Sequence, residues 1–439
     1  MKFRMACFCF FNFIFLYSSS QDYTNFLTGN ISDVNTQPIG GICLMGGASE
    51  DDNAMKWFLN RADGGDVLVL RTSGADGYNN YLYSSLGVPV NSVETIIFHN
   101  PSASYNNYIH DKINKAEAIW FAGGDQWQYI SYWRDTPIDS LINKAIQERN
   151  IVVGGTSAGM AILGDFYFSA QFGTVLSSTA LANPYNSSVT IDSASFIQHS
   201  QNFLVHTIND THFDNPDRKG RLTVFLARIF EDFNIQSKAI ACEEYCAVCI
   251  DNNGVAKVFG SYPQYEDYVY FAQVNCELLN NAPEVCIDGN ALTWNQGNQA
   301  LKVYKIPGTS SGNNFFNLTN WINGIGGTWY NWSVNNGVFL ENVSQPLDCN
   351  LSNNNDNNLL DKVYIYLDEQ LSTITLKHDI IDFSNMQLSL MNYMGQKIPF
   401  EKLIIDNHNV QLILPKSKGQ FLILRLNGAL DTISYKFHW

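Results

Sequence analysis

The sequence predicts an α/β protein in which a parallel sheet is flanked by helices. Between residues 39 and 260, short apolar runs that end in glycine-containing turns alternate with segments of helical periodicity. Short buried strands that alternate with helices are typical of a parallel sheet. Glycine pairs follow three of the runs, at Gly46-Gly47, Gly123-Gly124 and Gly154-Gly155. Because sites in such sheets lie at the carboxyl ends of the strands, we expect functional residues near these turns.

The apolar runs that predict the strands of this first domain, residues 38–260, are 40–45, 66–70, 93–98, 116–121 and 151–153. Residues 138–147 predict an amphipathic helix, since their apolar side chains recur at helical spacing. After residue 260 the chain becomes rich in Tyr, Trp, Asn and Gly, and the alternation in residues 301–306 predicts a strand. We therefore expect residues 261–348 to form a β-rich extension.

The last part of the chain predicts a separate β domain. Residues 349–360 are rich in asparagine and predict a linker. Beyond them, residues 361–439 contain short alternating strands separated by turns, which predict a β-sandwich. The predicted strands are 372–376, 387–391, 410–414 and 421–426.

The N-terminal segment predicts export. Lys2 and Arg4 precede an apolar run over residues 5–17, and three serines end the segment at residue 20. This order is typical of a secretory signal peptide, so we predict that residues 1–20 are removed and that the protein is secreted or held at the cell surface.

The charge balance limits the partners. The chain of 439 residues carries 41 acidic and 26 basic residues, a net charge of -15. Such a surface disfavours nucleic acid, whose phosphates need Lys and Arg, and it suits a cationic substrate. The residues point to neither a cofactor nor a metal, and we expect none.

The cysteines give two further expectations. Export permits disulfides, and Cys276 and Cys286 flank a proline-containing loop, so we predict a local bridge between them. Cys242, Cys246 and Cys249 lie in an apolar run without a nearby histidine. This context favours buried thiols over metal ligands.

The segment around Ser157 predicts a nucleophile. Gly155-Thr156-Ser157-Ala158-Gly159 follows an apolar run and precedes a helix-compatible stretch, the context that a G-x-S-x-G nucleophile requires. The serine needs a base, and His199, His206 and His212 follow it before the linker. His212 is favoured because it lies in the densest polar cluster.

An acid that orients the base is also expected. Glu243 and Glu244 interrupt an apolar run over residues 239–250, where a carboxylate is costly unless it is paired. The residues alone leave open which of the two acts, and whether the pair is only structural. The loop after residue 121 adds Gly124, Asp125 and Gln126, whose amides and polar side chains could meet a substrate.

Together these segments resemble the cyanophycinase and dipeptidase E family of serine peptidases. The resemblance covers about residues 38–260 and rests on segments in family order, namely Gly123-Gly124-Asp125-Gln126, Gly155-Thr156-Ser157-Ala158-Gly159, Asp210-Thr211-His212-Phe213, Gly220-Arg221-Leu222 and the strand with Glu244. It implies a fold similar to that of class I glutamine amidotransferases, with serine in place of their cysteine.

The resemblance also implies roles for individual residues. The triad would be Ser157, His212 and Glu244, and the backbone amides of Gly124 and Ala158 would hold the oxyanion. Substrate-binding positions would be Asp125, Gln126, Asp210, Arg218 and Arg221. The implied substrate is a peptide or a cyanophycin-like polymer that releases β-Asp-Arg dipeptides, and a homodimer is left open.

Residues 361–439 resemble the C-terminal sorting domain of type IX secretion cargo, which implies the secretion machinery as a partner. The matching segments are the turn at residues 392–397 and the strand at 421–426. A carbohydrate- or surface-binding module is the alternative. Two other functions remain open for the whole chain, an esterase of the α/β-hydrolase type and a surface protein without activity.

Overall fold

The computed structural model describes the chain from residue 21 onward, with several gaps. The described residues are 21–192, 196–197, 203–278, 280–349, 364–368, 373–377, 383, 387–392, 397–406, 408–414, 421–427 and 432–438. The predicted signal peptide, the predicted linker apart from Cys349, His199 and most of the turn at residues 392–397 lie outside them. The chain divides into two compact units, one up to Cys349 and one from Asn350.

The first sheet of the first unit contains the predicted parallel strands. Its strands lie in the order β1-β4-β3-β5-β6-β2-β11-β12-β15-β16. Five neighbouring strands, from β4 to β2, are parallel, and the strands outside them pair antiparallel. The bounds are β1 Tyr23–Gly29, β2 Gly41–Met45, β3 Asp66–Arg71, β4 Ser92–Phe98, β5 Ala118–Phe121, β6 Val152–Thr156, β11 Ala247–Ile250, β12 Val255–Phe259, β15 Phe315–Asn317 and β16 Gly324–Ile325.

Helices lie between the strands along the chain. They are α1 Asp52–Arg61, α2 Gly77–Asn80, α3 Asn107–Lys115, α4 Gln126–Trp133, α5 Pro137–Arg149, α6 Ala158–Ala161, α7 Ser177–Ala182 and α8 Lys219–Phe233, with a π-helical turn at Tyr81–Ser85 and a 3₁₀ turn at Pro101–Tyr105. The predicted amphipathic helix is α5. It begins with Thr136 as N-cap, whose hydroxyl accepts from the amide of Ile138, and it ends at Asn150 in the left-handed region. Within the described residues, no helix is both long enough and apolar enough to cross a membrane.

Alternation along the strands explains why both faces of this sheet are covered. In β2, Ile42 and Leu44 join the apolar cluster that also contains residues of α3 and α5. Cys43 and Met45 point the other way, into the cluster that contains residues of α1. A strand buried on both faces reads as a continuous apolar run, which is why the sequence signals these strands clearly.

A second sheet joins the β-rich extension to the first domain. Its order is β18-β17-β14-β13-β10-β9, and only β9 and β10 are parallel to each other. The strands are β9 Thr207–Asp210, β10 Lys238–Cys242, β13 Tyr268–Val274, β14 Leu301–Pro307, β17 Thr328–Asn335 and β18 Val338–Val343, and a small hairpin pairs β7 Tyr167–Phe168 with β8 Ile191–Asp192. A separate apolar cluster contains residues of this sheet and of α8. The extension therefore shares a sheet with the strands that lead to the predicted base and acid.

The predicted disulfide is wrong. Cys276 is bonded to Cys349, and Cys286 is a free, buried thiol. This bond joins residues that are 73 positions apart, and it holds the end of the first unit beside the end of β13. Next to Cys286, Val285 pairs with Thr293 in an isolated bridge.

The second unit is a β-sandwich, as predicted. It has a four-stranded sheet, β19-β20-β23-β22, and a three-stranded sheet, β21-β24-β25. One apolar cluster contains Leu376 and Leu412 from the first sheet and Leu390 and Leu424 from the second. The strands are β19 Tyr364–Asp368, β20 Thr373–Lys377, β21 Gln387–Asn392, β22 Glu401–Asp406, β23 Asn409–Ile413, β24 Phe421–Asn427 and β25 Thr432–His438.

Candidate active site

Ser157 occupies a strained turn between β6 and α6. Its φ and ψ are 52° and -118°, and a positive φ is costly for a residue with a side chain. The glycines on either side make this turn possible. A Cβ on Gly155 would lie 2.5 Å from the carbonyl carbon of Gly159, and a Cβ on Gly159 would lie 2.1 Å from the oxygen of Phe121. Thus each glycine of G-x-S-x-G is required by a close approach of the backbone.

Three side chains form a continuous hydrogen-bonded line. Ser157 Oγ lies 2.8 Å from His212 Nε2, and His212 Nδ1 lies 2.6 Å from Glu244 Oε1. The second oxygen of Glu244 accepts a bond from Asn215 Nδ2 at 3.4 Å. The serine therefore has a base within proton-transfer distance, and the base has an acid that fixes its orientation.

The two glutamates have different surroundings. The sequence suggested one interrupted strand, but β10 and β11 belong to different sheets, and the glutamates lie in the turn between them. Glu243 turns away from the base and accepts bonds from Tyr268 N and Tyr270 Oη, each at 2.8 Å. Glu244 N donates to Asp214 Oδ1 at 2.8 Å, which fixes the backbone of the acid.

The charge states of the two carboxyls differ accordingly. Burial raises the pKa of Glu243 to about 7, and the bonds from Tyr270 and Tyr268 offset part of that effect. Burial also opposes ionisation of Glu244, but the hydrogen bonds from His212 and Asn215 and the nearby positive charge of Arg218 bring its pKa below the ordinary value. Glu244 is thus an ionised carboxylate at neutral pH, as an orienting acid should be.

The loop after β2 positions the base, a role that its sequence does not predict. His212 N donates to the oxygen of Gly46 at 2.8 Å, and His212 itself has a positive φ of 47°. Gly47 has a φ of 119°, and a Cβ there would lie 2.4 Å from His212 Cε1. The imidazole therefore packs directly on the Gly47 backbone. The glycine pair was visible in the sequence, but nothing in it revealed the histidine as its neighbour.

The predicted oxyanion donors lie at the expected edge of the sheet. Gly124 follows β5, and Ala158 begins α6 after the adjacent strand β6. A Cβ on Gly123 would lie 3.6 Å from the Cβ of Ser157, so the glycine loop runs beside the nucleophile. Tyr129 Oη holds this loop by donating to the oxygens of Ala122 and Gly123, at 2.9 and 3.0 Å. The first amides of a helix have no acceptor within it, so the amide of Ala158 is free to donate to an oxyanion.

Asp125 and Gln126 have structural bonds. Asp125 Oδ1 caps α4 by accepting from the amides of Trp127 and Gln128, at 2.9 and 3.3 Å. Gln126 Nε2 donates to the oxygen of Phe168 at 2.9 Å. The carboxylate was expected to meet a substrate, and in this structure it holds the start of a helix.

Asp210 and Arg221 form a buried ion pair, and each side chain is only 3% exposed. Arg221 Nε donates to Asp210 Oδ2 at 3.0 Å, and its Nη2 donates to the other oxygen. Arg221 Nη1 donates to Thr174 Oγ1 and to the oxygen of Val175. This pair connects β9 to α8 and has little capacity left for a substrate.

Arg218 is the arginine that remains near the triad. It is half-buried, and its Nη1 donates to the oxygen of Thr211 at 2.7 Å. Burial and the positive charge of Arg221 lower its pKa to about 10, so it stays protonated at neutral pH. Of the two arginines expected to bind substrate, Arg221 is taken up by its ion pair with Asp210, and Arg218 lies near Glu244 of the triad.

The cysteines of residues 242–249 are buried, as predicted. Cys249 Sγ lies 3.8 Å from Cys43 Sγ, across the pair of β11 and β2. Within the described ranges, no three residues of His, Cys, Asp and Glu come together in a group that could hold a metal ion.

The fold and the site define a hydrolase-type constellation whose members follow the order serine, histidine, glutamate along the chain. In α/β-hydrolases the acid precedes the histidine, so the order here differs from that class. Residues 78–258 match the model of Peptidase family S51. This segment is similar to the peptidases of that family and contains all three triad residues.

Two individual proteins are also similar to part of this chain. The chain is 25% identical over 191 residues to a cyanophycinase of Geminocystis herdmanii, covering 43% of this chain and 56% of that protein. It is 23% identical over 168 residues to a cyanophycinase of Trichormus variabilis, covering 38% and 50%. The chain thus spans about half the length of the curated relatives that it matches. Together with the family match, these similarities support a peptidase.

Among solved structures, the chain aligns with that of a peptidase from an acI-B1 actinobacterium. It aligns with a TM-score of 0.39 at 14% identity, covering 51% of this chain and 89% of the other.

Proposed function

We propose that this protein is an exported serine peptidase that hydrolyses an amide bond through an acyl-enzyme, releasing β-Asp-Arg dipeptides from cyanophycin or a related isoaspartyl peptide. The observation that carries the peptidase is the line from Ser157 through His212 to Glu244, with bonds of 2.8 and 2.6 Å. The substrate rests on the two cyanophycinase similarities.

The first half of the reaction makes an ester. His212 Nε2 takes the proton of Ser157 Oγ as the oxygen attacks the amide carbon, and the carbonyl oxygen becomes an oxyanion. In this proposal, the amides of Gly124 and Ala158 donate hydrogen bonds to the oxyanion. When the C–N bond breaks, His212 gives its proton to the leaving amine, and Ser157 is left acylated.

The second half repeats the steps with water. His212 takes a proton from water as the water oxygen attacks the ester carbon. The bond to Ser157 Oγ breaks, and the proton passes from His212 to the serine. Glu244 stays ionised throughout and stabilises the imidazolium that forms in both halves.

The test is to incubate the purified protein with insoluble cyanophycin and to analyse the soluble products by mass spectrometry. We expect β-Asp-Arg, and none of it with Ser157→Ala. A parallel incubation with β-aspartyl dipeptides tests the dipeptidase branch. If both substrates remain intact, the proposed substrate class is wrong, whereas labelling of Ser157 by a fluorophosphonate would still support a serine hydrolase.

Export through a C-terminal sorting domain is part of the same proposal. Its support is the resemblance of residues 361–439 to such domains, together with a β-sandwich in residues from Asn350 onward. Expression in a host with type IX secretion, with and without residues 361–439, tests it. We expect the full chain in the medium or at the surface and the truncated chain inside the cell. Equal distribution of both would overturn the sorting role.

A further inference from the structure

A cavity opens at the carboxyl edge of the first sheet, between the loop that follows β2 and the segment that follows β3. Its volume is about 460 Å³. Its polar and aromatic lining residues are Ser49, Glu50, Asp52, Arg71, Tyr78 and Tyr81. None of these residues belongs to the triad or to the predicted substrate-binding set.

The loop that lines this cavity also supports the nucleophile and the base. Ser157 N donates to the oxygen of Met45, the last residue of β2, at 3.0 Å. Gly47 packs against the imidazole of His212. Ser49 is only two residues further on, so its Cα lies within about 7 Å of that of Gly47. A substrate residue next to the scissile bond can therefore reach the cavity.

The cavity presents two carboxylates to a ligand. Asp51, which stands between them in sequence, is used elsewhere, since its Oδ1 caps α1 by accepting from the amides of Asn53 and Ala54 at 2.9 Å each. Glu50 and Asp52, on either side of this cap, both line the cavity.

Two tyrosines hold these carboxylates in place. Tyr78 Oη donates to Glu50 Oε1, and Tyr81 Oη donates to Asp52 Oδ1 at 2.8 Å. Each bond uses one carboxylate oxygen and leaves the other to accept from a ligand. Arg71 already lies over the ring of Tyr78, with its Cζ 5.9 Å from the ring centroid. A ligand cation would therefore stack on Tyr81 rather than on Tyr78, while it donates to the carboxylate oxygens.

Arg71 adds a positive group to the same cavity. Its Nη1 donates to the oxygen of Ala75 at 3.0 Å. Its Nε is buried and has no hydrogen-bond partner within the described part of the chain. Because Nε has almost no accessible surface, a ligand in the cavity would meet the terminal nitrogens of Arg71, and a carboxylate is the acceptor that an arginine fork binds best.

We propose that this cavity is the subsite for a substrate residue that carries both a guanidinium group and a free carboxylate. The guanidinium would meet Glu50 and Asp52, and the carboxylate would meet Arg71. This inference rests on the proposed function and adds the residues that select its substrate. An arginine joined through its α-amine to an aspartate side chain has both groups, whereas an arginine within an ordinary peptide chain has no free carboxylate.

Binding to the full chain carrying Ser157→Ala tests the subsite without turnover. The probes are a synthetic dimer of β-Asp-Arg and the same dimer with citrulline, which is neutral and nearly isosteric, in place of arginine. We expect calorimetry to show at least tenfold tighter binding of the arginine dimer. Since this comparison changes only the ligand, it does not depend on the folding of a cavity variant.

Protein variants then locate the effect. Glu50→Gln with Asp52→Asn should weaken the arginine dimer roughly tenfold or more and leave the citrulline dimer within about twofold. The matched control is Glu148→Gln, an exposed acid on α5, which should change neither affinity.

Equal affinity for the two dimers, binding of neither, or an equal loss for both in the cavity variant would overturn the subsite. The proposed function has a separate readout, the release of β-Asp-Arg by the protein with Ser157 intact. If discrimination is seen without release, the subsite stands and the peptidase proposal falls. If release occurs without discrimination, the reverse holds.

Discussion

Replacing Glu244 by glutamine removes the charge behind the base and keeps the shape of the side chain. Glu244 and His212 are only 17% and 26% exposed, and their bond is 2.6 Å long. In the transition state the imidazole is positively charged. Two unit charges about 4 Å apart at an effective dielectric constant near 20 attract by about 4 kcal/mol. Loss of that attraction corresponds to about a 10³-fold slower reaction of the serine.

A change in the tautomer of His212 slows the reaction of the serine further. A glutamine can turn its NH₂ group toward His212 Nδ1, which favours the tautomer that carries its proton on Nε2 and cannot accept from Ser157. The equivalent change in Ser-His-Asp enzymes lowers kcat about 10⁴-fold. We therefore expect a fall of about 10³- to 10⁴-fold.

The assay is the second-order rate constant for labelling by a fluorophosphonate, which depends on activation of the serine and needs no known substrate. The neighbouring change Glu243→Gln is the matched control, because Glu243 bonds to Tyr268 and Tyr270 and not to the base. It should alter the labelling rate by less than about threefold. If the two variants react equally slowly, or if Glu244→Gln labels as fast as the unmodified protein, the assignment of the acid is refuted.

Three further predictions concern stability and the support of the base. The pKa of Glu243 is about 7 in the folded chain against an ordinary value of 4.5, so between these pH values the folded state holds a proton that the unfolded state releases. The free energy of unfolding should therefore fall by about 3 kcal/mol from pH 4.5 to pH 8. In urea titrations, Glu243→Gln should remove that part of the pH dependence. Gly47→Ala should lower the rate of fluorophosphonate labelling at least 100-fold, because the new Cβ displaces the imidazole of His212. The control is Gly64→Ala, since Gly64 also has a positive φ but has nothing within 4 Å of the new Cβ, and it should leave the rate unchanged. Equal rates for the two variants would contradict the packing of the imidazole on Gly47. Peptide mapping without reduction should find Cys276 joined to Cys349 and Cys286 free. Cys276→Ser should lower the free energy of unfolding by about 4 kcal/mol, in keeping with a disulfide that closes a 73-residue loop. A bridge to Cys286 would refute this pairing.

The strands of the parallel sheet were predictable because each is buried on both faces. Their apolar runs predict β2, β3, β4 and β5 to within two residues at each end. The run at 151–153 is too short, since β6 continues to Thr156 through two glycines that would ordinarily argue against a strand. These glycines are needed for packing. A Cβ on Gly154 would lie 2.6 Å from the ring of Trp120.

Contacts between distant segments were not predictable from patterns of local spacing. The sheet that joins β9 and β10 to the extension contains strands that are far apart in the chain, and no periodicity reveals such partners. The disulfide prediction failed for the same reason, because nearness in sequence does not ensure nearness in space.

The candidate site divides along similar lines. Ser157 was identifiable because its motif encodes the geometry of the turn itself. Asp210 and Arg221 were expected to bind substrate, yet the direction of a side chain from β9 or α8 depends on the packing of both elements, and here they face each other. The roles of Glu243 and Glu244 could not be separated in the sequence, since a turn sends neighbouring side chains to opposite sides.

The most direct test of the catalytic assignment is to locate the residue that a fluorophosphonate modifies. Intact-mass and peptide analysis of the labelled protein should show one adduct, on Ser157, which is abolished by Ser157→Ala and strongly reduced by His212→Ala. An adduct on another residue, or no adduct on the folded protein, would contradict the claim that Ser157 is a nucleophile activated by His212 and Glu244.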